Sequence, residues 1–413
     1  MKKFMKVLLP SAIAMLFCSA CAQNGGSDKV EIEFWHNYAA DTGQVDTLTT
    51  LIGEFEKENP NVTVNPVYQE WAALQKGVTL GASSGVLPDV LRGDIAFVPQ
   101  FQSLNVLEEV GAYSDYAEAA GKVLKQPNSS NLMNGKYYGI ACNTNTKVLF
   151  YNKTILDAHN VKVPETLDAL WSAATAVSGD GVTGYVEPWT GVWNVGPYIW
   201  SEGGDILSSD NKTANGYLNG AISVAVITKL HDMYAAGSLT GSSMNTSVLG
   251  DTDGWAQNKY AFELDGPWRA SSCEAAKIDY GAMPLPAGKA GSVSVLGGEN
   301  LMLFKHSSDA KKKAAWSFAK FLVSEHAQVE MAKHGQMPVN TSALTDADAL
   351  NAMPLLPIFI KALSTARARP VIPQWSKVED VIATKVAEAI TGATPVKTAL
   401  DDAVTQIDTL LAK

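Results

Sequence analysis

The sequence predicts two α/β lobes, each assembled from separated stretches of one chain, with a ligand cleft between them. Three observations predict it. Strand-like and helix-like segments alternate over most of the chain, which implies βαβ units around largely parallel sheets. The 413 residues are enough for two or three cores. Three irregular stretches, residues 141–146, 283–298 and 335–341, interrupt the alternation where the chain can pass between lobes. Three crossings place residues 30–141 with 295–338 in one lobe and 146–288 with 342–413 in the other. Lobes joined in this way are expected to close about a hinge.

Each element follows from its pattern. Residues 30–35 read V-E-I-E-F-W, the alternation of a strand. Over 47–58, Leu48, Leu51, Ile52 and Phe55 share one helical face. Strands are predicted at 62–67 and 88–91, with a helix over 71–80 between them and another beginning near Phe97. Residues 147–151 and 260–264 are strand-like, and 167–177 is a helix entered through Pro164-Glu165-Thr166. Ala314, Ala315, Phe318 and Leu322 mark a helix over 311–325, and helices at 378–390 and 395–411 close the chain. Trp71 and Trp316 fall inside these helices and read as packing residues.

The N-terminus sets the compartment. Lys2, Lys3 and Lys6 precede an apolar run over 7–17 and then Cys18-Ser19-Ala20-Cys21. That run is shorter than the ~20 residues a bilayer crossing needs, so residues 1–21 read as a removable export signal. Small residues before Cys21 resemble a bacterial lipobox, although Cys18 stands where Leu is usual. The resemblance implies that Cys21 is the lipidated first residue, and two acyl chains would hold the protein stably where one would not. Residues 22–29 form a polar tether. Cys142 and Cys273 remain in the mature body and could pair in an oxidising compartment or stay free.

Several functions are excluded by pattern. The formal charge is −10 and the basic residues are scattered, so no nucleic-acid footprint exists. Gly81-Ala82-Ser83-Ser84-Gly85 matches G-x-S-x-G, but a helix precedes it and a strand follows, the reverse of a nucleophile elbow, so a loop is expected. Lys289 follows Gly288 without the glycine that a phosphate-binding loop requires. The six histidines have no metal-ligand spacing. What remains is aromatic residues beside Gly and Pro: Glu187-Pro188-Trp189-Thr190-Gly191-Val192-Trp193 with Tyr198 and Trp200, then Asp265-Gly266-Pro267-Trp268, then residues 370–375 ending in Trp375. Sugars present flat C–H faces rimmed by hydroxyls, so a site for them needs aromatic platforms and a few placed polar groups.

These stretches carry a family resemblance over residues 30–413. F-W-H-N at 34–37, F-E-K-E-N-P at 55–60, P-D-V at 88–90 and L-F-Y-N-K at 149–153 belong to it. So do P-E-T-L-D-A-L at 164–170, G-G-D at 203–205, D-G-P-W at 265–268, L-G-G-E-N at 296–300 and A-W-S-F-A-K-F-L at 315–322. In order and spacing they resemble the extracellular solute-binding proteins of the maltose-binding type, which serve ATP-driven sugar importers. The resemblance implies a two-lobed periplasmic-binding-protein fold of type II, no catalysis, no cofactor or metal, a carbohydrate ligand and permease subunits as partners. It implies a monomer that touches the membrane only through its lipid. E-P-W at 187–189 and D-G-P-W are similar to the sugar-contacting elements of maltose-binding protein. Trp268 and Trp189 would stack on sugar rings, with Glu187 accepting from hydroxyls. His36, Asn37 and Asp94 would supply polar contacts from the first lobe. Asn145, Gly298 and Glu299 would do so at the crossovers, and Arg369 (or Arg367) and Trp375 from the last segment. Three platforms suit a di- or oligosaccharide such as maltose or trehalose.

Two other readings stay open: a secreted glycosidase with Glu187 and Asp265 as paired carboxylates, and a binding protein for a non-sugar solute such as a peptide or polyamine. For the anchor, Cys21→Ser should abolish incorporation of labelled fatty acid and release the protein from cells. Lipid still attached to that variant would rule Cys21 out.

Overall fold

The computed structural model describes residues 29–40, 42–241, 244 and 251–412. The export segment, Cys21 and nearly all of the tether lie outside the described residues. Strands in chain order are β1 (Val30–His36), β2 (Val62–Tyr68), β3 (Val90–Asp94), β4 (Leu132–Met133), β5 (Lys136–Tyr137), β6 (Ile140–Asn145) and β7 (Val148–Asn152). They continue as β8 (Thr183–Val186), β9 (Leu239–Thr240), β10 (Tyr260–Asp265), β11 (Tyr280–Met283), β12 (Val295–Leu303) and β13 (Arg367–Ala368). Among the described residues, one sheet runs β13-β12-β3-β1-β2 with β6 also on β12, and a second runs β11-β7-β10-β8-β9. Two sheets with helices on their faces form the two expected lobes.

Strand alternation decides how each sheet is covered. In β1, Ile32 and Phe34 enter one core with helix Gln44–Glu58 and helix Asp309–Leu322, while the next residue, Trp35, enters another with Leu74 and Val78. Both faces of this sheet are therefore buried. The second sheet packs on helices Leu167–Val177, Ala221–Ala235, Trp375–Ile390 and Val396–Leu411. Thr166 caps the first of these by accepting from Ala169 N at 3.2 Å. Gly184 lets that helix approach β8: a Cβ there would lie 1.8 Å from the Ala174 carbonyl oxygen.

The sheets are mixed rather than purely parallel. β1 runs parallel to β2 and β3, but β12 is antiparallel to β3 and β6 because the chain enters it from the other lobe. β12 is a shared strand. Val295 and Leu296 begin it in cores fed by the second sheet, and Leu301 and Leu303 end it in the core of the first. β13, inside the stretch expected wholly in the second lobe, pairs with that shared beginning. Where the crossings run side by side, Thr146 Oγ1 bonds Ser294 Oγ at 2.9 Å, and Ser294 Oγ donates to Lys147 O at 2.8 Å.

Two local expectations change, and one open alternative is decided. The G-x-S-x-G stretch is not a loop: it forms the end of helix Trp71–Ser84, and Gly85, at φ +78°, terminates that helix with its N–H on Gly81 O. Trp71 is not a core residue but is 51% exposed at the start of the same helix. Cys142 and Cys273 are both free and buried, in separate cores.

Candidate ligand cleft

Between the lobes lies a cleft of about 640 Å³, lined among others by Asn37, Arg92, Asn143, Asn145, Trp268, Glu299 and Gln336. That volume suits a small-molecule ligand. The floor collects at the carboxyl ends of β1 and β3, where open α/β sheets place their ligand sites. β1 delivers Asn37, β6 delivers Asn143 and Asn145, β12 delivers Glu299, and the turn after helix Glu325–Ala332 delivers Gln336.

Arg92 of β3 holds these groups together. It is 2% exposed, and a buried charge requires paired, hydrogen-bonded surroundings. Its guanidinium donates to Asn37 Oδ1, to Asn143 Oδ1 at 3.1 Å, to Glu299 Oε2 at 3.0 Å and to Gln336 Oε1 at 2.8 Å. Its carbon also lies 4.1 Å over the Tyr38 ring. Asn143 Nδ2 donates to the same Glu299 oxygen at 2.6 Å. Two glycines allow the close approach of β12 and β6. Gly298 has φ +127°, and a Cβ on it would sit 2.3 Å from Asn143 O. A Cβ on Gly297 would meet Asn145 Oδ1 and the Trp193 ring.

From the second lobe Trp268 lines the same cleft, with Trp193 packed beside it. Trp268 is 45% exposed, and its Nε1 donates to Asp265 Oδ2 at 2.9 Å, which fixes the ring's orientation. The ring lies back over Gly266, where a Cβ would collide with it. Trp193, in the first turn of helix Val192–Ser201, has its centroid 6.5 Å from that of Trp268 at 30°. Glu379 caps that helix, accepting from Val192 N at 2.8 Å, and burial pushes its carboxyl up to about 7 against the pull of Arg369. Arg369 itself donates to Asp94 Oδ1 at 2.6 Å, tying the last segment to β3, and lies 5.8 Å from the Trp193 ring. Arg367 instead pairs with Asp205.

The residues expected at the site are thus divided. Asn37, Asn145, Trp268 and Glu299 line the cleft, Gly298 shapes its backbone, and Asp94 and Arg369 bond one another without being among the lining residues. Three side chains lie beneath the surface, contrary to the contacts expected of them. His36 is 3% exposed among Phe34, Tyr38 and Tyr68. Glu187 is fully buried, bonded by Asn194 and Tyr198 with Lys147 Nζ at 3.9 Å. Trp375 packs into the second lobe's core. Trp189 is half exposed but is not among the cleft-lining residues. Sequence reasoning passed over Arg92, Asn143 and Gln336, and named Trp193 only as part of an aromatic run. For Arg92 a signal existed: a charge inside the strand run V-L-R-G-D must find partners. Among the described residues no group of three or more His, Cys, Asp or Glu is placed to hold a metal ion.

Fold and cleft define a two-lobed solute-binding protein. A family model for bacterial extracellular solute-binding proteins matches residues 50–357, and the chain belongs to that family. It is 26% identical over 436 residues to a maltooligosaccharide ABC transporter solute-binding lipoprotein of Streptococcus pneumoniae, covering 98% of this chain and 97% of that one. It is 24% identical over 420 residues to a maltodextrin-binding protein of Bacillus subtilis, with 98% and 97% covered. Among solved structures, the GacH receptor of Streptomyces glaucescens, known unliganded and with acarbose, matches with TM-score 0.82 at 24% identity. That match covers 94% of this chain and all of the other. A substrate-binding protein of Listeria monocytogenes in complex with cycloalternan matches with TM-score 0.84 at 20% identity, covering 93% and 100%.

His36 yields a pH prediction. Burial first, and Arg92 second, lower its pKa to about 4 from the 6.5 of an unfolded chain. Between those values the unfolded state binds the extra proton, so stability falls as pH drops from 6.5 and levels off below 4. That difference corresponds to about 3 kcal/mol. His36→Gln should remove that part of the acid sensitivity in urea melts at pH 7, 5.5 and 4. Parallel curves for variant and wild type would show that His36 contributes none of it.

Proposed function

We propose that this chain is the exported, lipid-anchored binding component of an ATP-driven importer, and that it captures a di- or oligosaccharide by lobe closure. The observation that carries the reading is the pairing of a half-exposed, orientation-locked Trp268 with a floor of amides and one carboxylate. An apolar ring face and a polar hydroxyl rim need those two surfaces in opposition. An α-glucoside such as maltose or trehalose is the favoured ligand, supported by relatives named for maltooligosaccharide and maltodextrin. Residues 141–146, 283–298 and 335–341 are the proposed hinges. The closed form would dock on permease subunits as a monomer, held to the membrane outside the cytoplasm through Cys21, at a cell surface or in a periplasm. In the cleft, Asn37, Asn145 and Glu299 would meet hydroxyls, and Asp94 and Arg369 would contribute at the edge. The hydrolase reading is weakened because both carboxylates it needs are buried and engaged, Asp265 by Trp268 Nε1 and Arg269.

Truncating an aromatic anchor in a binding pocket typically costs ~2 kcal/mol or more, or about 25-fold in affinity. Titration calorimetry with maltose and maltotriose should therefore show at least that loss for Trp268→Ala. Trp316→Ala is the control: Trp316 is buried in the first lobe with Nε1 on Asp115, so it should lower the melting temperature and leave affinity nearly intact. Trp268→Ala binding within threefold of wild type would sink this picture of the cleft.

A further inference from the structure

The hydrogen-bonding polarity of the floor can be deduced from Arg92, and it deepens the carbohydrate reading on which it rests. A guanidinium has donors and no acceptor. Any amide bonded to it must therefore turn its carbonyl oxygen inward. Asn37 does so through Oδ1 and Gln336 through Oε1. Each then has one end left, an NH₂ group, and both residues line the cleft. Among the described residues no acceptor takes up Asn37 Nδ2 or Gln336 Nε2. Asn143 is the contrast, since its Nδ2 is spent on Glu299. Glu299 gives one oxygen, Oε2, to Arg92 and Asn143, and keeps Oε1 as an acceptor.

We infer that Arg92 is a positioning residue that fixes Asn37 and Gln336 as hydrogen-bond donors to the ligand, beside Glu299 as acceptor. The ligand this selects is a polyol or saccharide with hydroxyls that give to Glu299 while accepting from the two amides. One hydroxyl has a single proton to give and lone pairs to receive with. A floor of alternating donor and acceptor satisfies both. A floor of acceptors alone leaves lone pairs facing carboxylates.

Asn37→Asp and Gln336→Glu separate this role from a merely structural one. Each keeps the oxygen that meets Arg92 and gives the guanidinium a charged partner, so the melting temperature without ligand should stay level or rise. Each also replaces the outward NH₂ with an oxygen, so calorimetry with maltotriose should show affinity at least tenfold weaker for either variant. In ¹⁵N-labelled wild type, the side-chain NH₂ signals that these variants lack should shift when maltotriose is added. If both variants bind within threefold of wild type, or those signals do not move while wild type binds, the inference is overturned. A melting temperature clearly lowered in both would overturn the orientation itself. Wild type that gives no heat with maltotriose would instead overturn the α-glucoside reading and take this inference with it.

Discussion

A single guanidinium, closed off from water beneath the cleft, sets the terms for the rest of the molecule. Arg92 needs acceptors because a charge in a low-dielectric interior is tolerated only when it is paired and hydrogen-bonded. Those acceptors come from four places far apart in sequence: the end of β1, β6, β12 and the turn after helix Glu325–Ala332. Bringing them together is the same event as assembling the first lobe's side of the cleft. Removing Glu299, its one charged partner among the described residues, would leave a buried charge uncompensated, which is the expensive kind of loss. An arrangement of apolar side chains could fill this volume, but it could not orient three amides and a carboxylate.

The second constraint is β12. It begins among side chains of the second lobe and ends in the core of the first, so both lobes are registered on one strand. Its glycines serve that function. Gly298 takes a backbone conformation that L side chains rarely adopt, and Gly297 leaves room for Asn145 and Trp193 in the same narrow space. The aromatic wall depends on a helix start: Glu379, from a helix near the C-terminus, supplies the cap that Gly191 has no side chain to give. Floor and wall are therefore set by contacts across the whole chain.

Much of the fold was legible because it is local. The helix at 167–177 needed only a threonine cap and apolar spacing, and it spans Leu167–Val177 in the structure. β1 was legible from V-E-I-E-F-W alone. The mixed sheets were not, because strand direction depends on which lobe the chain comes from. Site residues followed the same division. Trp268 could be placed from D-G-P-W, since Gly and Pro hold its backbone locally. Trp193 could not be chosen over Trp189 as the neighbour of Trp268, because its helix start is capped by a distant carboxylate and Gly297 leaves room for its ring. Glu187 and His36 stand in the right motifs, but their neighbours bury them. Arg92 lies in a strand that otherwise reads as core, and its partners are not adjacent in sequence.

The central claim is that a saccharide entering between these lobes draws them together. Small-angle scattering of the exported domain, with and without saturating maltotriose, tests it most directly. The account predicts a smaller radius of gyration with sugar, and no change with a sugar that calorimetry shows does not bind. A radius that stays constant while calorimetry reports saturation would contradict capture by closure.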